Sequence, residues 1–237
     1  DTHYAGFVEK PDLHYVQVVE RPAAVASATA SSSWKEPSRE AVNMSLRAEK
    51  ETTGGKRRLA SDLYKIMMAD TKEAGFSLQP KSEDSMDKWT IKLFQFDSDS
   101  NLHKDMVSLG VDHIELEMSF PDQYPFSPPF VRVVRPRFQR QTGFVMNGAL
   151  CMELLTNEGW NPVNDIESVI VSIRSLLVVG DGRLEGAQPP VGTSTSGKKR
   201  ARDEHYSMAE AKAAYSHLSD YHKKKGWDSS GWWARKG

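Results

Sequence analysis

The chain has 237 residues, 27% of them charged and 38% hydrophobic, and its 31 basic and 32 acidic side chains leave a net charge of −1. A single cysteine excludes an intramolecular disulfide and the multi-thiolate sites of structural zinc or iron–sulfur clusters, and the charge balance excludes a whole-surface grip on nucleic acid or on an anionic membrane. Length predicts about 1.6 domains at roughly 150 residues each, which fits one sizeable domain carrying tails. No run approaches roughly 18 apolar residues and no basic-then-apolar leader opens the chain, so neither a membrane span nor a signal peptide is expected.

In chain order, residues 1–55 read as a flexible N-terminal extension. His14–Val19 reads as a short strand or a partner-binding segment, an Ala/Ser/Thr linker runs from Ala23 to Ser33, and a polar stretch follows to Gly55. A folded domain is expected over 56–227, interrupted by a disordered basic loop at about 188–204 and followed by a tail at 228–237. Leu59, Leu63, Ile66 and Met67 predict a first helix from Arg57 towards Gly75. Trp89–Phe96, His113–Phe120 and Phe130–Val134 read as strands. An irregular segment from 135 leads to a second apolar helix, Ile166 to Leu177, with Asn164 and Glu167 at capping-box spacing. Ser207 and Glu210 repeat that signal ahead of a last helix ending near Gly226. Helix, antiparallel strands, irregular segment and two helices make an α+β layout.

The irregular segment carries Cys151, beside Asn147-Gly148 and followed by Glu153. No Lys, Arg or His neighbours it in sequence to lower its pKa. Such a thiol fits two descriptions, an inert packed residue or a nucleophile for thioester exchange, where the acyl group arrives already activated. Asn147 reads either as turn chemistry or as an oxyanion donor. Lys198-Lys199-Arg200-Ala201-Arg202 is a compact basic cluster that fits a nuclear localisation signal, a contact for acidic partners or a solvated charge run. Four charges offer too few phosphate contacts to make nucleic acid the expected partner. The histidines show no metal-ligand spacing and no phosphate-binding glycine loop occurs.

Three motifs together resemble the ubiquitin-conjugating enzymes. Tyr124-Pro125-Phe126-Ser127-Pro128-Pro129 is similar to that family's proline-rich connection, Gly148-Ala149-Leu150-Cys151-Met152-Glu153-Leu154-Leu155 to its active-site segment, and Trp160-Asn161-Pro162 to its Trp-x-Pro, with Ile166 to Leu177 falling on the central helix. Leu150 to Leu155, Ile166 to Ile170 and the closing His205-Tyr206-Ser207-Met208, Asp220-Tyr221-His222 and Gly226-Trp227 resemble the Q branch in particular. Where most members carry His-Pro-Asn, with Asn eight residues before the cysteine, this chain has Gln141-Thr142-Gly143; Q-branch members also lack the tripeptide.

The resemblance implies a ubiquitin-conjugating fold with an N-terminal helix, a four-stranded antiparallel sheet, an active-site loop, a central helix and a C-terminal helix. It implies that Cys151 receives ubiquitin as a thioester from an activating enzyme and passes it to a protein substrate or a ubiquitin ligase, the alternative being a catalytically silent scaffold of the same fold. Asn147 or backbone N–H groups of the glycine-containing loop would hold the oxyanion. Asp181, with Glu153 and Glu185 as alternatives, would form an acidic gate for the incoming amine. Phe126 and Pro162 match the ligase contacts, and Trp160 would pack beneath the active-site loop. No cofactor is expected, ATP being used by the upstream activating enzyme, and the location is expected to be cytoplasmic, nuclear or both.

Overall fold

A computed structural model describes residues 34–82, 84–187 and 205–224, with side chains through 218. The segment at 14–19, the linker at 23–33, the basic cluster at 198–202 and the tail at 228–237 lie outside the described residues.

The folded part begins earlier than the expected boundary at Lys56. Helix α1 spans Arg39–Glu51, capped by Ser38, whose Oγ accepts from Ala41 N at 3.1 Å, and it packs along helix α2, Gly54–Met67. Its buried positions are Ala41 and Ser45, with Val42 and Met44 against the core. Small residues let two helices approach closely but give little hydrophobic periodicity, so this stretch reads as polar extension. In α2, Leu59, Leu63, Ile66 and Met67 are buried as the spacing predicts. The helix stops at Met67 rather than near Gly75. Gly75 instead turns the chain at φ +80°, where a Cβ would lie 2.9 Å from the Phe94 carbonyl oxygen.

Strands β1 (Phe76–Pro80), β2 (Lys88–Leu93), β3 (Ile114–Ser119) and β4 (Phe130–Arg135) form an antiparallel meander. The hairpin β5 (Val145–Met146) and β6 (Ala149–Leu150) extends it from four strands to six, in the order β1-β2-β3-β4-β6-β5. Period-two alternation sends Trp89, Ile91 and Leu93, Ile114, Leu116 and Met118, and Val131 and Val133 to one face. There they meet Ile166, Val169, Ile170, Ile173 and Leu177 of helix α4, Ile166–Val179.

A further helix, α3 (Asn101–Leu109), occupies the β2–β3 connection. Ser100 caps it, accepting from His103 N at 3.2 Å, and Gly110 ends it at φ +64°. The cap of α4 is Asp165, accepting from Ser168 N at 3.2 Å, one residue later than the Asn164–Glu167 spacing implies. The capping box of helix α5 (Met208–Lys224) forms as read: Ser207 Oγ accepts from Glu210 N at 3.1 Å, and Glu210 Oε2 accepts from Ser207 N at 2.7 Å.

Candidate active site

The hairpin that carries the cysteine is set by its turn. Asn147 at φ +47° and Gly148 at φ +87° supply the two positive-φ residues of a two-residue hairpin. A Cβ on Gly148 would come within 3.0 Å of both the Val133 carbonyl oxygen and the Tyr206 ring, so only glycine lets the hairpin lie on β4, where Val133 N donates to Gly148 O at 2.8 Å. The register runs Met146–Ala149, then Val145–Leu150, and ends with Cys151 N donating to Phe144 O at 2.9 Å. Cys151 is half-buried, and that burial pushes its thiol above the ordinary range.

Asn147 sits exposed at the other end of the hairpin, three register steps or roughly 10 Å from Cys151. The structure does not bring the two side chains together. The residues at the position of the missing tripeptide are tightly folded: Gln141, Gly143 and Phe144 all have positive φ, and Gly143 N donates to Gly180 O at 2.7 Å.

That last bond brings up the acidic candidate. Asp181 follows α4 in a turn at φ +49°, so the strip 143–144 has Cys151 bonded on one side and the Gly180-Asp181 turn on the other. Two strand spacings, about 10 Å, separate the two backbones. Asp181 Oδ1 accepts from Asn101 Nδ2 of α3 at 2.7 Å. Glu185 lies further along the same segment, its N donating to Arg137 O at 2.9 Å. Glu153 is exposed in a 3-10 turn, Glu153–Leu155. Of the three carboxylates, Asp181 is the one whose turn is bonded to the residue next to Cys151's own partner.

Trp160 is buried, and its Nε1 donates to Pro125 O at 2.7 Å. It therefore holds the proline-rich connection, its ring also lying 6.3 Å from that of Tyr124. Phe126, one residue on, is 80% exposed. Pro162 is half-buried, and next to it Val163 is 78% exposed, a second apolar tip that sequence reading missed because an isolated valine ordinarily marks a core position. Both loops are tied to α2. Tyr124 donates to Asp62 Oδ2 at 2.5 Å, and burial together with Asp62 pushes its phenol well above the usual range. Arg58 donates to Asp62 at 2.9 Å, to Pro162 O at 3.2 Å and to Asn164 O at 3.1 Å. Among the described residues no cluster of His, Cys, Asp or Glu could hold a metal ion, and no helix is long and apolar enough to cross a membrane.

A family model for ubiquitin-conjugating enzymes matches residues 58–189, more than half of the chain. The chain belongs to the ubiquitin-conjugating enzyme family. Ubiquitin-conjugating enzyme E2 Q1 of Homo sapiens and of Mus musculus is 38% identical over 175 residues, covering 72% of this chain and 38% of theirs. A second Homo sapiens relative, the Q-like protein 1 of the ubiquitin-conjugating enzymes, is 38% identical over 146 residues, covering 61% of this chain and 83% of that protein. The chain thus spans 38% of the length of the E2 Q1 relatives. Their names agree with the Q-branch resemblance, and the family match spans every segment that carries the motifs from Tyr124 to Leu177.

Proposed function

We propose that this ubiquitin-conjugating chain is a thioester carrier. The Cys151 sulfur attacks the thioester between ubiquitin and an activating enzyme; a new C–S bond forms at Cys151, the old one breaks, and the activating enzyme's thiolate leaves. The observation that carries this reading is a half-buried thiol at the open end of a hairpin, inside the segment the family match covers. Transfer to an acceptor follows, directly or through a ligase held by Phe126 and by Pro162 with its neighbour Val163. ATP is spent upstream, by the activating enzyme.

Donors for the oxyanion are needed about 3 Å from the developing charge. The distance of Asn147 along the hairpin favours backbone N–H groups near the glycine-containing strip over its side-chain amide. Asp181 is the acidic gate this geometry favours. The basic cluster at 198–202 supports entry to the nucleus in addition to the cytoplasm.

The test is incubation with activating enzyme, ATP and ubiquitin. The natural chain should give an adduct removed by excess thiol, and Cys151→Ser an oxyester that resists it. Absence of adduct from both, with a working control carrier, would assign the chain to the scaffold alternative.

A further inference from the structure

Helix α3 grips the turn after α4 at two points. Asp105, buried, accepts from Arg183 Nε at 2.8 Å, from Arg183 Nη2 at 3.0 Å and from Leu184 N at 2.9 Å. Four residues earlier, on the same helical face, Asn101 donates to Asp181 at 2.7 Å. The two grips differ in kind. The inner one is a bidentate ion pair that fixes the backbone. The outer one is a neutral amide holding one oxygen of an exposed carboxylate, one residue after Gly180, whose carbonyl accepts from Gly143 N of the strip that also holds Cys151.

We infer that Asn101 is a positioning residue for transfer to the acceptor: it fixes the Asp181 carboxylate at the turn two strand spacings from the Cys151 backbone, on the path of an incoming amine, while leaving its charge available to that amine. A cation in place of Asn101 would neutralise the carboxylate it oriented. Arg183, the cation on the same turn, has its guanidinium committed to Asp105, and Lys104 on α3 donates to the Asp99 carbonyl at 2.8 Å. The charge of Asp181 acts on Arg183 through space, but the guanidinium directs its hydrogen bonds to Asp105. An amine that attacks the thioester carbonyl forms a C–N bond as the C–S bond breaks. The electron pair leaves on Cys151 sulfur, and the ammonium proton passes to the Asp181 carboxylate and from there to water.

The inference rests on the carrier reading, and the experiment separates the two. Asn101→Ala, Asp181→Ala and the double variant are charged with ubiquitin, the supply of new thioester is stopped, and discharge onto free lysine is followed in a single turnover. Ser100 remains to cap α3, so Asn101→Ala should unfold at the same temperature as the natural chain and charge at the same rate. Its discharge should fall about tenfold, short of the roughly hundredfold a removed general base can cost. In the Asp181→Ala background the same change should cost nothing further. Unchanged discharge in Asn101→Ala, no loss in Asp181→Ala, or equal losses in both backgrounds would each overturn the inference while charging leaves the carrier reading standing. A natural chain that never charges overturns both.

Discussion

Cys151 has burial as the cause of its raised pKa, so at neutral pH the thiol is almost wholly protonated and slow toward ordinary electrophiles. That matches a carrier that must ignore unactivated acyl groups and react when a partner docks and delivers a thioester. Alkylation by iodoacetamide, followed by intact mass, should therefore keep rising with pH beyond about 8.5, the usual thiol midpoint. A plateau near neutrality would contradict the burial argument. The chain has one cysteine, so the labelled site is unambiguous. The candidacy of this residue was legible because Cys151 stands in a run of motifs. The position of Asn147 was not. Asn-Gly announces a turn, but the sequence does not say how many paired residues separate that turn from the thiol, and pairing alone makes it roughly 10 Å.

The elements differ in how openly they announce themselves. α4 and α5 were readable because large apolar residues recur at helical spacing behind a capping signal, and in α5 both hydrogen bonds of the capping box are present. α3 carried the same kind of signal in miniature, with Ser100 as cap, Leu102, Met106 and Leu109 buried, and Gly110 as stop; its nine residues sit inside what reads as one polar connection. α1 hides its contact face behind Ala41 and Ser45. Among the loops, Phe126 is held by its backbone, its N donating to Gln123 O at 2.8 Å, while its ring projects into solvent. Phe126→Ala should therefore shift stability by less than about 0.5 kcal/mol in urea unfolding. It should lower ligase-stimulated discharge at least tenfold, by about 1.4 kcal/mol or more, with ligase-free discharge to lysine unchanged. A large stability loss would mean the ring is a core cap rather than an anchor.

At the scale of the molecule, the sheet is joined to the entry of α5 through a buried charge pair. Glu117 and Arg132 face each other across β3 and β4; Arg132 Nε donates to Glu117 at 3.1 Å and Nη1 to Tyr206 O at 2.7 Å, while Lys81 holds the second Glu117 oxygen. Burial pushes Glu117 up, but the bonds from Lys81 and Arg132 outweigh it and hold the carboxyl below its ordinary value. A carboxyl depressed in the folded state contributes stability that is complete above its unfolded pKa, about 4.3, and that is lost as pH falls through the folded value. Urea midpoints should accordingly drop on the acid side. Glu117→Ala should lose about 3–5 kcal/mol at neutral pH, because it strands a buried guanidinium, and should show a flatter acid limb. An acid limb as steep as that of the natural chain would remove Glu117 from the account.

Arg58 spans two groups of bonds, one within α2 to Asp62 and one across to the carbonyls of Pro162 and Asn164, while Asp62 also takes the Tyr124 hydroxyl. One helical turn therefore acts as a ruler, setting the gap between the Phe126 and Val163 tips. A partner that reads both tips is reading a distance as well as two side chains. Evolution or engineering can exchange either tip without disturbing the other, but changing the gap means replacing Arg58, which releases the Pro162 side, or Asp62, which releases the Tyr124 side and the Arg58 guanidinium with it.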